Sequence, residues 1–67
     1  MQLQLNGSPV ESVAGTLNDL LLDRGVDPGQ PGIAVAVNGE LIPRSEWKGH
    51  RLNERDDIEL ITAMQGG

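Results

Sequence analysis

The sequence predicts a small α+β domain, a mixed sheet with one main helix packed across it. Three observations lead there. Two Asn-Gly pairs, Asn6-Gly7 and Asn38-Gly39, each separate strand-like runs, and Asn-Gly is a strong hairpin signal because both residues accept positive φ. Between them the apolar spacing changes from a period of two to that of a helix, at Leu17, Leu20 and Leu21. A last apolar run, from Asp57 to Ala63, follows the second hairpin.

In chain order, Met1-Gln2-Leu3-Gln4-Leu5 alternates apolar and polar residues, the mark of a half-buried strand. After the first turn, Val10 to Val13 is expected to return as the second strand, and Pro9 near its start favours a sheet edge. Thr16 is placed to cap the helix, with Asp19 three residues on as in a capping box. Arg24 suits the negative end of the helix dipole, and Gly25 the left-handed residue after it. The stretch from Asp27 to Gly32 holds two Pro and two Gly and reads as a loop.

Ile33, Val35 and Val37 of the next strand are expected to face the core, leaving Ala34 and Ala36 on a flat opposite surface. Glu40-Leu41-Ile42 returns after the second turn and Pro43 stops it. Ser45 is then expected to cap a short helical turn carrying Trp47. In the final strand Ile58 and Leu60 share one face, Glu59 and Ile61 the other. Neither hairpin can bury an apolar face alone, so the helix is expected to pack across one sheet. The order hairpin, helix, hairpin, strand fits a β-grasp fold, the architecture of ubiquitin; other α+β arrangements fit it too.

The 67 residues make one domain. A body over 1–63 and a flexible tail over 64–67 are expected. A chain of this size buries only about 60% of its unfolded surface. With no cysteine, disulfides and zinc–thiolate sites are excluded, and a single histidine builds no histidine cluster. The fold must therefore stand on packing and regular hydrogen bonding.

A formal charge of −5 argues against nucleic acid and against an anionic membrane surface, since both recruit Lys and Arg. No apolar run approaches membrane-spanning length and no basic leader precedes an apolar stretch, so a cytoplasmic protein is expected.

Catalytic chemistry needs a constellation, and none is expected here. Ser45, His50 and Asp56 or Asp57 include the residue types of a hydrolase triad, but a triad is defined by geometry. Glu54, Asp56, Asp57 and Glu59 lack the spacing of a calcium loop and read as a solvated turn leading into a strand. No glycine loop has the phosphate-binding pattern. Trp47, the only aromatic residue, reads as a core anchor with its indole N–H near a partner. His50 reads as a local hydrogen-bonding residue.

Gly66-Gly67 end the chain. One reading is a frayed terminus; the other is a slim, unbranched acyl probe that can lie close to another surface. An α-carboxylate is an anion at neutral pH and a poor electrophile. It must be activated, for example as an anhydride with AMP, and that ATP chemistry must be a partner's. Five residues from Ala63 to Gly67 reach at most roughly 17 Å.

The chain resembles the ThiS family, the sulfur carriers of thiamine biosynthesis, along nearly its whole length. The resemblance rests on the Asn6-Gly7 hairpin, Val35-Ala36-Val37-Asn38-Gly39, Ile42-Pro43-Arg44-Ser45-Glu46-Trp47, His50 and Leu52, Asp57-Ile58-Glu59-Leu60, and Gln65-Gly66-Gly67. Pro43-Arg44-x-x-Trp47 is the most discriminating segment. One departure is Arg55-Asp56, where the family often has Gly-Asp; it concerns the geometry of that turn.

The resemblance implies a carrier, not an enzyme, with no bound cofactor or metal. A ubiquitin-activating-enzyme-like adenylyltransferase would use ATP to convert the Gly67 carboxylate to an acyl-adenylate. A sulfur-donating persulfide enzyme would then supply the sulfur of a thiocarboxylate, which thiazole synthase would consume. Gln65 and Gly66 would form the threaded stalk. Ala34, Ala36, Ile61 and Ala63 are candidates for the docking surface, from strand alternation. Rival expectations are a carrier of the molybdopterin synthase small-subunit type, a ubiquitin-like protein modifier, and a binding module with an inert tail.

Overall fold

The computed structural model describes residues 1–62. Ala63, Gln65, Gly66 and Gly67, and with them the expected boundary between body and tail, lie outside the described residues. The elements are β1 (Gln2–Leu5), β2 (Ser8–Glu11), α1 (Leu17–Asp23), β3 (Ile33–Val37), β4 (Glu40–Leu41), a short 3-10 turn (Arg44–Glu46) and β5 (Asp57–Thr62). The strands form a single five-stranded sheet in the order β2-β1-β5-β3-β4. β5 runs parallel to β1 and antiparallel to β3, so the sheet is mixed, as expected.

Both Asn-Gly turns form. Asn6 and Gly7 have φ of 50° and 83°, Asn38 and Gly39 φ of 52° and 84°, the left-handed pair that a two-residue turn demands. The first turn is tighter than the sequence reading allowed. It pairs Leu5 with Ser8, so β2 starts at once and ends at Glu11 instead of running from Val10 to Val13. Val13 lies beyond the strand and is 98% exposed. Pro9 sits opposite Gln4 in an edge strand. Alternation from the turn makes that pair non-hydrogen-bonded, so the missing N–H costs no ladder bond.

Thr16 caps α1, its Oγ1 accepting from the Asp19 N–H at 3.2 Å. The Arg24 N–H is shared by the Leu20 and Leu21 carbonyls at 3.1 Å, and Gly25 follows at φ 75°. The 3-10 turn departs from expectation. Pro43 occupies its cap position with no side-chain cap bond, and Ser45 lies inside the turn. Proline pre-sets the entry φ and offers no side-chain acceptor.

α1 buries Leu17, Leu20 and Leu21 against one sheet face, where Leu3, Val35, Val37 and Ile58 meet them, with Ala14, Ile42, Trp47 and Leu52 completing the core. Trp47 is 2% exposed, and its Nε1–H donates to the Ile42 carbonyl at 2.9 Å. Among the described residues no helix is long and apolar enough to cross a membrane.

Candidate functional site

β5 is the central strand and the last element among the described residues, and both of its edges are held. On its β3 side the pairing continues to the end of the strand, with Ile33 opposite Thr62. On its β1 side the backbone ladder stops at Leu5 and Ile58. There the Asn6 N–H donates to the Ile58 carbonyl at 2.9 Å before the chain turns away.

The two faces of β5 differ. Ile58 is buried and Leu60 packs against the core, whereas Asp57, Glu59 and Ile61 point to the face opposite the helix. Ala34 lies across from Ile61, and Ala36 across from Glu59. The structure thus brings Ala34, Ala36 and Ile61 together on one open face. The alanines are half-buried and Ile61 is 59% exposed. Leu41, 68% exposed and directly across from Ala36, extends this apolar strip. The sequence reading missed Leu41, although its signal was present: a two-residue turn at Asn38-Gly39 pairs Val37 with Glu40 and puts Leu41 on the alanine face. Asp57 and Glu59 are exposed beside the strip and give it an acidic flank.

The acidic run before β5 is less solvated than its composition suggested. Asp56 is buried. Its Oδ1 accepts from Asn38 Nδ2 at 3.0 Å and its Oδ2 from the Asn53 N–H at 2.8 Å. Glu54 accepts from the Gln2 N–H at 2.6 Å. Asn38 Oδ1 in turn accepts from the Asp57 N–H at 2.9 Å. A buried carboxylate persists only when its oxygens are bonded, and here it ties the second hairpin turn to the start of β5. Among the described residues no group of three His, Asp or Glu side chains is placed to hold a metal ion.

Nor does a triad assemble. Both Asp56 oxygens are engaged as described, while Ser45 and His50 line a shallow surface depression with Glu46 and Gly49. The His50 carbonyl accepts the Leu17 N–H at 2.9 Å, which joins the start of α1 to this segment.

The Pro43-Arg44-x-x-Trp47 segment holds structure together. The Arg44 guanidinium lies 4.7 Å from the Trp47 ring centroid. It donates to the Pro28 carbonyl and, at 2.7 Å, to the Gln30 carbonyl. One arginine thereby pins the loop after α1 onto the tryptophan. Arg55 has φ of 70°, so the turn that departs from the family's Gly-Asp keeps a glycine-like backbone and places Asp56 inward.

A five-stranded mixed sheet crossed by one helix, with β5 at its centre between β1 and β3, defines a ubiquitin-like β-grasp domain. The model of the ThiS family matches residues 3–67. The chain is 33% identical over 67 residues to the sulfur carrier protein ThiS of Escherichia coli, covering 100% of both chains. It is 35% identical over 63 residues to the sulfur carrier protein ThiS of Thermus thermophilus, covering 94% of this chain and 95% of that one. The crystal structure of the thiamine biosynthesis protein ThiS from Geobacter metallireducens superposes with a TM-score of 0.82 at 26% identity, over 100% of each chain. This chain belongs to the ThiS family.

Proposed function

We propose that this protein is a sulfur carrier in thiamine biosynthesis, and that Gly67 bears the sulfur. The observation that carries the reading is the family match, which runs through the terminal Gly66-Gly67. Activation joins the Gly67 carboxylate to AMP from ATP and releases pyrophosphate. A persulfide on the donor then attacks the acyl carbon and expels AMP, leaving an acyl disulfide. A second thiol cleaves that S–S bond, so one carboxylate oxygen is replaced by sulfur and the thiols leave as a disulfide. Thiazole synthase takes this sulfur as the ring is built.

The chain brings no catalytic group to these steps and acts as a co-substrate. Its contributions are reach and docking: Gln65 and Gly66 as the stalk, and the strip of Ala34, Ala36, Leu41 and Ile61 as the surface gripped by the adenylyltransferase. Ala63 would continue that strip. The acidic flank of Asp57 and Glu59 favours a partner face that is apolar with a basic rim.

Intact mass tests the reading. After incubation with ATP, a sulfur donor and the activating enzyme, the mass should rise by one oxygen-to-sulfur exchange that maps to Gly67. A mass that stays constant, or isopeptide conjugates in place of a thiocarboxylate, would overturn it. Gly67→Ala places a methyl beside the reacting carbonyl and should impair adenylation.

A further inference from the structure

The β1-side edge of β5 is finished by a side chain. Strand hydrogen bonding alternates, so after Ile58 the next β5 residue to present its N–H and C=O toward β1 is Leu60. β1 has turned away by then, at Asn6 with φ of 50°. The Asn6 side chain fills the missing rung: its Oδ1 accepts from the Leu60 N–H at 2.8 Å and its Nδ2 donates to the Leu60 carbonyl at 3.2 Å. A primary amide carries one acceptor and a donor at the spacing of a peptide unit, so it continues β1 by one residue without backbone. The contact spans 54 positions in sequence and grips β5 two residues before Thr62.

Asn38 is the natural comparison. It occupies the same place in the same kind of turn, but its amide is committed to the Asp57 N–H and the buried Asp56 carboxylate, at the entry to β5. Asn6 touches only backbone, and only near the exit. The two asparagines therefore divide the strand between them.

We infer that Asn6 is a positioning residue for the carrier's acyl end. By holding Leu60 on the edge that β1 has left, it fixes the last described residues of β5, the base from which the acyl end is presented, while β3 holds the other edge. This rests on the carrier reading above. Asn fits where others do not. Gly meets the positive φ but supplies no amide, and Asp keeps the acceptor while setting a charge against the Leu60 carbonyl.

The test uses the full chain with its activating enzyme, following pyrophosphate release, together with hydrogen exchange at the Leu60 amide. Asn6→Gly should melt cooperatively. Its Leu60 amide should exchange at least about tenfold faster, with Ile58 and Val35 unaffected. The kcat for adenylation should fall about ten- to a hundredfold, the scale of a misaligned reactant. KM, which reports docking of the body, should stay within about twofold. Asn6→Asp, which keeps the acceptor for the Leu60 N–H but sets a charge against the Leu60 carbonyl, should lower kcat in the same direction with KM held, and serves if Asn6→Gly does not fold. Asn38→Gly should cost more stability yet leave kcat unchanged.

Equal kcat for wild type and Asn6→Gly would overturn the assignment, as would an equal kcat loss in Asn38→Gly or failure of both Asn6 variants to fold. A wild-type chain that releases no pyrophosphate would instead sink the carrier reading, and the Asn6 role with it.

Discussion

The two faces of the sheet are made by the same strands and have opposite fates. Toward the helix, Leu3, Val35, Val37 and Ile58 are sealed. Away from it, Ile61 and Leu41 stand in solvent beside half-buried alanines. Dimensions explain the asymmetry. Five strands about 4.8 Å apart make a sheet roughly 19 Å across, whereas a helix is about 10 Å wide with its side chains. The seven residues of α1 cannot cover even one face, and the segment carrying Trp47 and Leu52 completes that cover. Nothing among the described residues is left to cover the other face. A chain of this length can seal one side and leave one for a partner.

That contrast predicts large stability effects on the covered side and small ones on the open side. Trp47→Ala should have the largest, about 3–5 kcal/mol by denaturant unfolding, because it empties the site that finishes the cover. An unchanged midpoint would mean the helix alone suffices. Asp56→Ala comes next, at about 2–3 kcal/mol, since it strips charged acceptors from Asn38 and Asn53.

On the open face, Ile61→Thr with Leu41→Thr keeps strand propensity at Ile61 and should shift stability by less than about 0.5 kcal/mol. Affinity for the activating enzyme, measured calorimetrically, should nevertheless fall about tenfold, or about 1.4 kcal/mol. Unchanged affinity would show that the partner grips elsewhere. In the exposed turn before β5 the expected change is a small gain. Arg55→Gly relieves a left-handed residue, a relief offset in part by glycine's greater chain entropy, and should stabilise by roughly 0.5–1 kcal/mol.

Local features were the legible ones. Both Asn-Gly turns, the Thr16 cap, the Gly25 terminus and the indole N–H bond of Trp47 each depend on residues a few positions apart, and all appear as expected. Long-range pairings were less legible. Asp56 sits in a charged run that reads as solvated, and its partner Asn38 is 18 positions away. Leu41 was overlooked because its face depends on the register of a two-residue strand. Ser45 has the chemistry of a cap, but Pro43 takes the cap position. The second strand was shifted because turn tightness, more than hydrophobicity, sets where a hairpin returns. The most discriminating segment of the resemblance, Pro43-Arg44-x-x-Trp47, clamps the loop after α1 onto the core tryptophan.

The hairpins at either edge, β1–β2 and β3–β4, have no pairing with each other; β5 alone joins them. Until β5 emerges during synthesis, then, the two hairpins share no strand pairing, and only packing on α1 and the backbone bonds between α1 and the segment after β4 link them. Leu60 and Ile61 ride on that late-arriving strand. A product terminated before residue 57 therefore lacks both the strand that closes the sheet and the Ile61 side of the open-face strip.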